Sequence, residues 1–379
     1  MKILMVSMNS IHFTRWTSQL KDVGHEIYWF NILGTGYNPK LSWVQQIVDW
    51  KQRYPNLKGR YFIKNKLPFL YNFIKPLIEK STIKTFEKAI QAIEPDIVHS
   101  FALYVSCAPI LGVMKKYKSI KWVYSSWGSD LYYYQNIPNY LNDITSVLPH
   151  INYLFTDCQR DFELAKKYGF KGKFLGVFPG GGGYDFMIMD TFKKPLKERK
   201  TILIKGFQER SGRAITVLKA IELINEQLEN YKLVVFGADK EVFDYVNQSS
   251  LKYWNNFQVL GKINQQQVWQ LMGESLIYIG NSNSDGMPNT LLEAIAMGAF
   301  PIQSNPGGAS ADVITHNLNG FLIDNCNDIT EIKNHVLKAV TDLNLLEEAF
   351  KINQNDIKPQ FERTLIKSQV LEAYNSICN

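Results

Sequence analysis

Short apolar runs and amphipathic stretches alternate along the chain in two successive series. Residues 2–7, KILMVS, form a run suited to a strand buried on both faces, and a stretch with Trp16 and Leu20 on one side leads to Gly24 and a second run, HEIYWF. A strand, a helix and a strand within about 30 residues predict a parallel, doubly wound sheet. The same alternation continues through runs at 95–100, 121–126, 152–157 and 173–178. Four consecutive glycines, Gly180 to Gly183, and a polar stretch at 193–200 then interrupt it and predict a domain boundary, with 1–185 on one side and 186–360 on the other.

The second series opens at 201–206, TILIKG, followed by a polar loop with Arg210, Gly212 and Arg213 and a helix carrying Val217, Leu218, Ile221 and Ile224. Strands are expected at 231–236, 257–260 and 276–280. A loop, Ser284-Asp285-Gly286-Met287-Pro288, follows the last of these and leads to a helix with Leu291, Leu292 and Ile295 on its apolar side and Gly298 at its C-terminal end. A strand, a glycine-containing turn and a helix N-terminus bring backbone N–H groups together and suit an anion. A strand at 300–303, a glycine loop at 305–308, a short strand at 319–323 and two helices complete the chain, the last at about 361–379 and expected to pack back on the N-terminal domain.

Residues 43–80 depart from the alternation. Trp43, Trp50, Tyr54, Tyr61, Phe62, Phe69, Tyr71 and Phe73 interleave with Lys51, Arg53, Lys58, Arg60, Lys64, Lys66, Lys75 and Lys80. This segment reads either as a pair of helices packing their aromatics inward or as a surface for an anionic membrane.

A chain of 379 residues is long for one core, which favours two domains. Its 45% hydrophobic and 20% charged residues exclude a disordered or fibrous class, and no apolar run is long enough to span a bilayer. The first seven residues are too short for a signal-peptide core, and Cys107, Cys158, Cys326 and Cys378 lack metal-ligand spacing, so a cytoplasmic location with reduced thiols is expected. The net charge of +7 points to an acidic partner. No zinc-finger or RNA-binding pattern accompanies it, so nucleic acid is not expected.

Asp285 and Glu293 flank the predicted anion site. A hydrolase pair holds its carboxyls about 5–9.5 Å apart, whereas eight helical residues span about 12 Å. Two separate hydrogen-bonding tasks fit better. Glu293 has an architectural alternative, because Thr290-x-x-Glu293 matches a helix capping box. Asp285-Gly286 can equally be an ordinary turn, and Lys205 and Arg213 can be solvated cations beside a strand end. Gly206 and Gly212 favour a ligand, since glycine permits close approach. The dinucleotide fingerprint is absent from the first turn, against a nicotinamide or flavin.

The stretch 281–308, NSNSDGMPNTLLEAIAMGAFPIQSNPGG, resembles the signature of glycosyltransferase family 4: two acidic residues separated by seven, a helix, a short strand and a glycine pair. Asn319-Gly320-Phe321-Leu322-Ile323 extends the match. The resemblance implies an α/β GT-B fold, two facing Rossmann-like domains with an interdomain cleft, the N-terminal one for the acceptor and the C-terminal one for the nucleotide sugar. It further implies that Asp285, where the family usually has Glu, contacts donor-sugar hydroxyls and that Glu293 bonds the ribose. Backbone N–H groups between Gly286 and Leu291 (over Met287, Pro288, Asn289 and Thr290), with Gly206 beside them, would face the donor. Lys205 and Arg213 would neutralise the leaving diphosphate. Ser10, His12, Arg15, His99, Trp127 and Asp130 are the candidate acceptor or sugar contacts, with the loops at His12, His99 and Trp127 on one rim.

Three departures from the family stand out. Lys205-Gly206 and Gly212-Arg213 replace an Arg followed by a Lys-Gly, Trp127 stands where the family often has His, and the first loop lacks a glycine pair. With no Asp-x-Asp pair nearby, neither a metal nor a cofactor is expected beyond the UDP- or GDP-sugar substrate. The implied activity is retaining transfer to a saccharide or lipid-linked acceptor in surface or capsular polysaccharide synthesis, in the cytoplasm or peripheral on the inner face of the membrane. A nucleotide-sugar 2-epimerase and a non-catalytic nucleotide-sugar sensor are the alternatives.

Overall fold

The computed structural model describes every residue except Lys58 and Asn379 and the side chains of Tyr61 and Cys378. The expectations for Lys58, Tyr61 and Cys378 therefore lie outside the described residues. The chain forms two compact units, the first comprising Met1–Asp157, Asp161–Gly182 and Gln369–Asn379, the second Cys158–Arg160 and Gly183–Ser368.

The first unit is built on a seven-stranded sheet of β1 (Lys2–Ser7), β2 (Glu26–Asn31), β3 (Gln45–Ile47), β4 (Ile97–Phe101), β5 (Lys121–Ser125), β6 (Tyr153–Thr156) and β7 (Lys173–Val177). All pairs are parallel, in the order β3-β2-β1-β4-β5-β6-β7. Helices on both faces explain why Ile3, Leu4, Met5 and Val6 are all fully buried. The strand order reverses between β1 and β4, and ligands of such sheets bind at the carboxyl ends of the strands there. Tyr374, in the C-terminal helix Arg363–Cys378, is buried in this unit and accepts a hydrogen bond from the Trp16 indole at 3.1 Å.

The second unit repeats the design. Its six strands are β8 (Thr201–Lys205), β9 (Lys232–Phe236), β10 (Phe257–Val259), β11 (Ser275–Gly280), β12 (Phe300–Ser304) and β13 (Phe321–Ile323). They are parallel in the order β10-β9-β8-β11-β12-β13, so the reversal falls between β8 and β11. The helix Asn289–Met297 follows β11 and ends at Gly298, whose φ of 83° is the left-handed value a glycine cap supplies.

Residues 43–80 hold a strand that their composition hid, β3, and the helices Arg60–Lys66 and Pro68–Ile78. Trp50 and Tyr71 point inward, but Phe62, Phe69 and Phe73 are exposed, so inward packing accounts for only part of the aromatic content. Among the described residues no helix is long and apolar enough to cross a membrane. Cys107, Cys158 and Cys326 are free thiols.

Candidate active site

In the second unit the chemistry gathers at the strand reversal. Lys205 ends β8 and Asp285 lies in the loop after β11, so neighbouring strands deliver both to one edge of the sheet. Lys205 Nζ stands 3.8 Å from Asp285 Oδ2, with the side chains 27% and 35% exposed. An exposed pair at this distance contributes about 0–1 kcal/mol. Both groups can therefore exchange each other for a ligand at little cost. Asp285 Oδ1 also accepts from the Gly286 amide at 3.1 Å, which fixes the turn.

The loop 206–213 is stitched to the loop after β11. The Arg213 amide donates to the Asn281 carbonyl at 2.9 Å, the Asn283 amide to the Ser211 carbonyl at 2.8 Å, and Gly212 pairs with Ser282 across an isolated bridge. Asn281 Nδ2 donates to the carbonyls of Arg213 and Cys326. Arg213 is held at the start of the helix Ala214–Glu222, and its Nη1 donates to the Gly212 carbonyl at 2.5 Å.

The two glycines of this loop serve packing against protein backbone, which corrects the expectation that they make room for a ligand. A Cβ on Gly206 would lie 2.8 Å from the Ala238 Cα, and one on Gly212 only 1.9 Å from the Phe207 carbonyl oxygen. Gly212→Ala is expected to destabilise the second unit by about 1–3 kcal/mol through overpacking, read as a lower urea midpoint.

Glu293 lies on the buried side of the helix Asn289–Met297, 4% exposed, and accepts from Gln265 Nε2 at 3.0 Å. The capping-box alternative fails: Pro288 occupies the N-cap without a side-chain bond, and the Thr290 hydroxyl instead accepts from Tyr278 at 2.8 Å. Pro288 itself thus stands one place earlier than the first helical position. Burial, with Asp285 and Glu293 adding to it, pushes the Tyr278 hydroxyl far above its ordinary pKa, so it serves as a neutral donor.

Among the backbone groups expected to face a donor, two are already engaged: the Gly286 amide by Asp285 and the Leu291 amide by the Pro288 carbonyl at 3.0 Å. Asn289 bonds Tyr184 through both its carbonyl and its side-chain oxygen. Met287 and Leu291 bury their side chains in the core. Among the described residues no group accepts from the amides of Met287 and Thr290. Those two remain able to meet an anion. Two successive left-handed residues, Gly307 and Gly308, shape the adjoining loop after β12.

The first unit gathers a different set. His12 and Trp127 pack at 5.9 Å between ring centroids, both half-buried, beside Gly180. Gly128 has φ 67° and ψ −79°, a conformation only glycine readily adopts, and this turns the chain after Trp127. Arg15 is half-buried one turn from His12. Ser10 caps the helix Ile11–Ser18, accepting from the Phe13 amide at 3.1 Å.

His99 and Asp130 do not join the rim. His99 is the central residue of β4 and fully buried, stacked on Phe101 at 4.1 Å. Its Nδ1 lies 2.5 Å from the Tyr374 hydroxyl and its Nε2 2.8 Å from Ser125 Oγ. Burial holds its pKa well below the ordinary value. A neutral ring accepting from Tyr374 and donating to Ser125 satisfies both contacts. Asp130 is also buried, accepting from the Tyr124 hydroxyl at 2.6 Å and from the amides of Leu103 and Trp127 at 2.8 Å each. It positions the Trp127 turn and has no open face for a sugar.

Residues 188–356 match the family model described as glycosyl transferases group 1. Over these residues the second unit is similar to the group 1 glycosyl transferases. The whole chain is similar in fold to a glycosyltransferase from Rickettsia africae ESF-5, with a TM-score of 0.67 at 17% identity over 100% of this chain and 98% of that one. It is similarly related to the lipopolysaccharide outer core galactosyltransferase WaaB, with a TM-score of 0.67 at 17% identity over 99% of each chain. Anabaena HepE, in complex with UDP and glucose, aligns with a TM-score of 0.67 at 13% identity over 99% of this chain and 100% of that one. These likenesses establish the GT-B fold. No curated protein matches the chain in sequence.

The second unit contains two positioning residues that the motif does not announce, the first of them outside the matched range. Arg160 Nη1 donates to the Asp285 carbonyl at 2.8 Å and to the Pro306 carbonyl at 2.6 Å, joining the two glycine-containing loops. Gln265 begins the helix Gln265–Glu274 and holds Glu293 from 28 residues away. Neither lies near the signature in sequence, so only the fold reveals them.

Proposed function

We propose that the protein is a retaining, metal-independent glycosyltransferase that moves a sugar from a UDP- or GDP-sugar to a saccharide or lipid-linked acceptor in surface polysaccharide synthesis. The observation that carries this reading is the Lys205–Asp285 pair at the strand reversal of the second unit, with Glu293 on the helix that follows the same loop. Breaking the bond between sugar and diphosphate leaves negative charge on the phosphate and positive character on the sugar carbon. Lys205 and Arg213, with the amides of Met287 and Thr290, would stabilise the first. Asp285 would hold donor-sugar hydroxyls and Glu293 the ribose. His12 and Trp127 are the groups of the first unit best suited to meet acceptor or sugar.

Calorimetry with UDP, GDP and their sugars, followed by turnover with and without a saccharide acceptor, tests this reading. Acceptor-dependent transfer supports it. Release of a free or epimerised hexosamine without acceptor indicates a 2-epimerase, and binding without turnover over a broad acceptor panel indicates a sensor. A substituted Glu293 should weaken the donor before it slows the chemistry. Glu293→Gln is expected to raise donor Kd by about tenfold, the loss of one charge-assisted hydrogen bond of about 1.5–3 kcal/mol partly replaced by the amide, with calorimetry as the check.

A further inference from the structure

Among the described residues, no carboxylate pairs with the guanidinium of Arg199, which is only 4% exposed. Its Nε and Nη2 donate to the Lys194 carbonyl at 2.8 and 2.7 Å. Its Nη1 donates to the carbonyls of Ser275 and Met297 at 3.3 and 2.9 Å. A guanidinium has five N–H groups. These bonds use four of them, and among the described residues no acceptor meets the fifth, on Nη2. Carbonyl dipoles offset only part of the cost of burying a charge, and burial lowers the Arg199 pKa to about 10.

Arg199 lines a cavity of about 600 Å³ in the second unit, a volume within the range of small-molecule sites. Lys197 and Lys200, both exposed, line it as well, against one carboxylate, Glu347. Leu196, Leu276, Leu343 and Leu346 supply apolar lining. Three cations beside leucines select an anion with an apolar body. A small inorganic anion would leave the leucines uncovered, and a neutral hydrocarbon would leave Arg199 without a counter-charge.

This cavity lies at the edge of the sheet opposite the Lys205–Asp285 pair. Lys200 precedes β8 and Leu276 is near the start of β11, whereas Lys205 ends β8. A strand rising about 3.3 Å per residue separates Lys200 from Lys205 by about 17 Å. Through the Met297 carbonyl, Arg199 also caps the C-terminal end of the helix Asn289–Met297, which carries Glu293. The cavity and Glu293 therefore share one helix.

We propose that this cavity is a second ligand site, taking a small organic carboxylate with an aliphatic body. The carboxylate would meet Arg199, Lys197 and Lys200, and the aliphatic body would cover the leucines. The proposal does not depend on glycosyl transfer, since binding is measured without donor or acceptor.

Calorimetric titration of the full chain tests it with three probes: octanoate, octanamide as its neutral counterpart, and inorganic phosphate as an anion without an apolar body. One saturable site for octanoate is expected, with the other two weaker by about tenfold or more. Arg199 holds backbone in place through its carbonyl bonds, so exposed residues are substituted instead. Lys197→Glu with Lys200→Glu should weaken octanoate by about tenfold or more, and Leu343→Ser by about fivefold. An unchanged thermal midpoint without ligand confirms that both variants fold. Lys205→Ala should bind octanoate as the parent does. Absence of saturable octanoate binding overturns the proposal, as does equal affinity for octanamide or phosphate. Full binding by the Lys197/Lys200 variant also overturns it, and so does loss of binding in Lys205→Ala, which would move the carboxylate to the strand reversal.

Discussion

Lys205→Ala is expected to lower kcat by about 10²–10³-fold while leaving KM for the nucleotide sugar within a few-fold. The side chain ends β8 at the strand reversal, only partly exposed, with its charge 3.8 Å from Asp285. In the resting protein that pair contributes little stability. The cation gains a stronger partner only when the bond to the diphosphate breaks and negative charge accumulates on the departing oxygens. An interaction that strengthens in the transition state acts on kcat more than on binding. The thermal midpoint should stay near that of the parent, because no buried group loses its partner. Lys205→Arg retains the charge on a different geometry and should recover part of the rate. Unchanged turnover of Lys205→Ala at saturating donor would remove Lys205 from the mechanism.

What the sequence reveals and what it hides follow the same physical division. The runs at β1, β8 and β11 are legible because strands covered on both faces must be apolar throughout, and the glycine after the helix Asn289–Met297 because a left-handed cap excludes most side chains. The positions of Lys205 and Asp285 follow from readable elements, one at the end of β8 and the other in the loop after β11, while Glu293 lies in the middle of the helix that comes next. Contacts between distant residues leave no such trace. Nothing in the order of residues links Gln265 to Glu293, or Arg160 to the carbonyls of Asp285 and Pro306. His99 invites a reading as a sugar or acceptor contact until the fold places Tyr374, 275 residues away, against its ring. Thr290 and Glu293 have capping-box spacing, but the chain enters the helix at Pro288, and the pattern has no cap to serve. The glycines of the loop 206–213 look alike for ligand approach and for backbone crowding. Only the neighbours, Ala238 and Phe207, distinguish the two.

Asp130→Ala is expected to cost the first unit about 3 kcal/mol or more, since three buried donors lose their acceptor at about 1–3 kcal/mol each before relaxation. These are the Tyr124 hydroxyl and the amides of Leu103 and Trp127. Their loss would also free the Trp127 turn, so the first unit should lose stability and the Trp127 geometry together. Asp130→Asn separates charge from shape. Burial raises the Asp130 carboxyl to about 6, with the charge of Asp161 adding and the Tyr124, Leu103 and Trp127 donors opposing. A raised carboxyl pKa means that the native state holds the proton more tightly than the unfolded chain. The stability from this group is therefore complete below about pH 4 and is lost as pH rises through about 6. A difference of about two pKa units corresponds to about 3 kcal/mol. The asparagine does not titrate, so the stability gap between parent and Asp130→Asn should widen as pH falls from 7 to 4. Urea unfolding of both proteins across that range reads the gap directly. A gap that stays constant would show that Asp130 keeps an ordinary carboxylate pKa despite its burial.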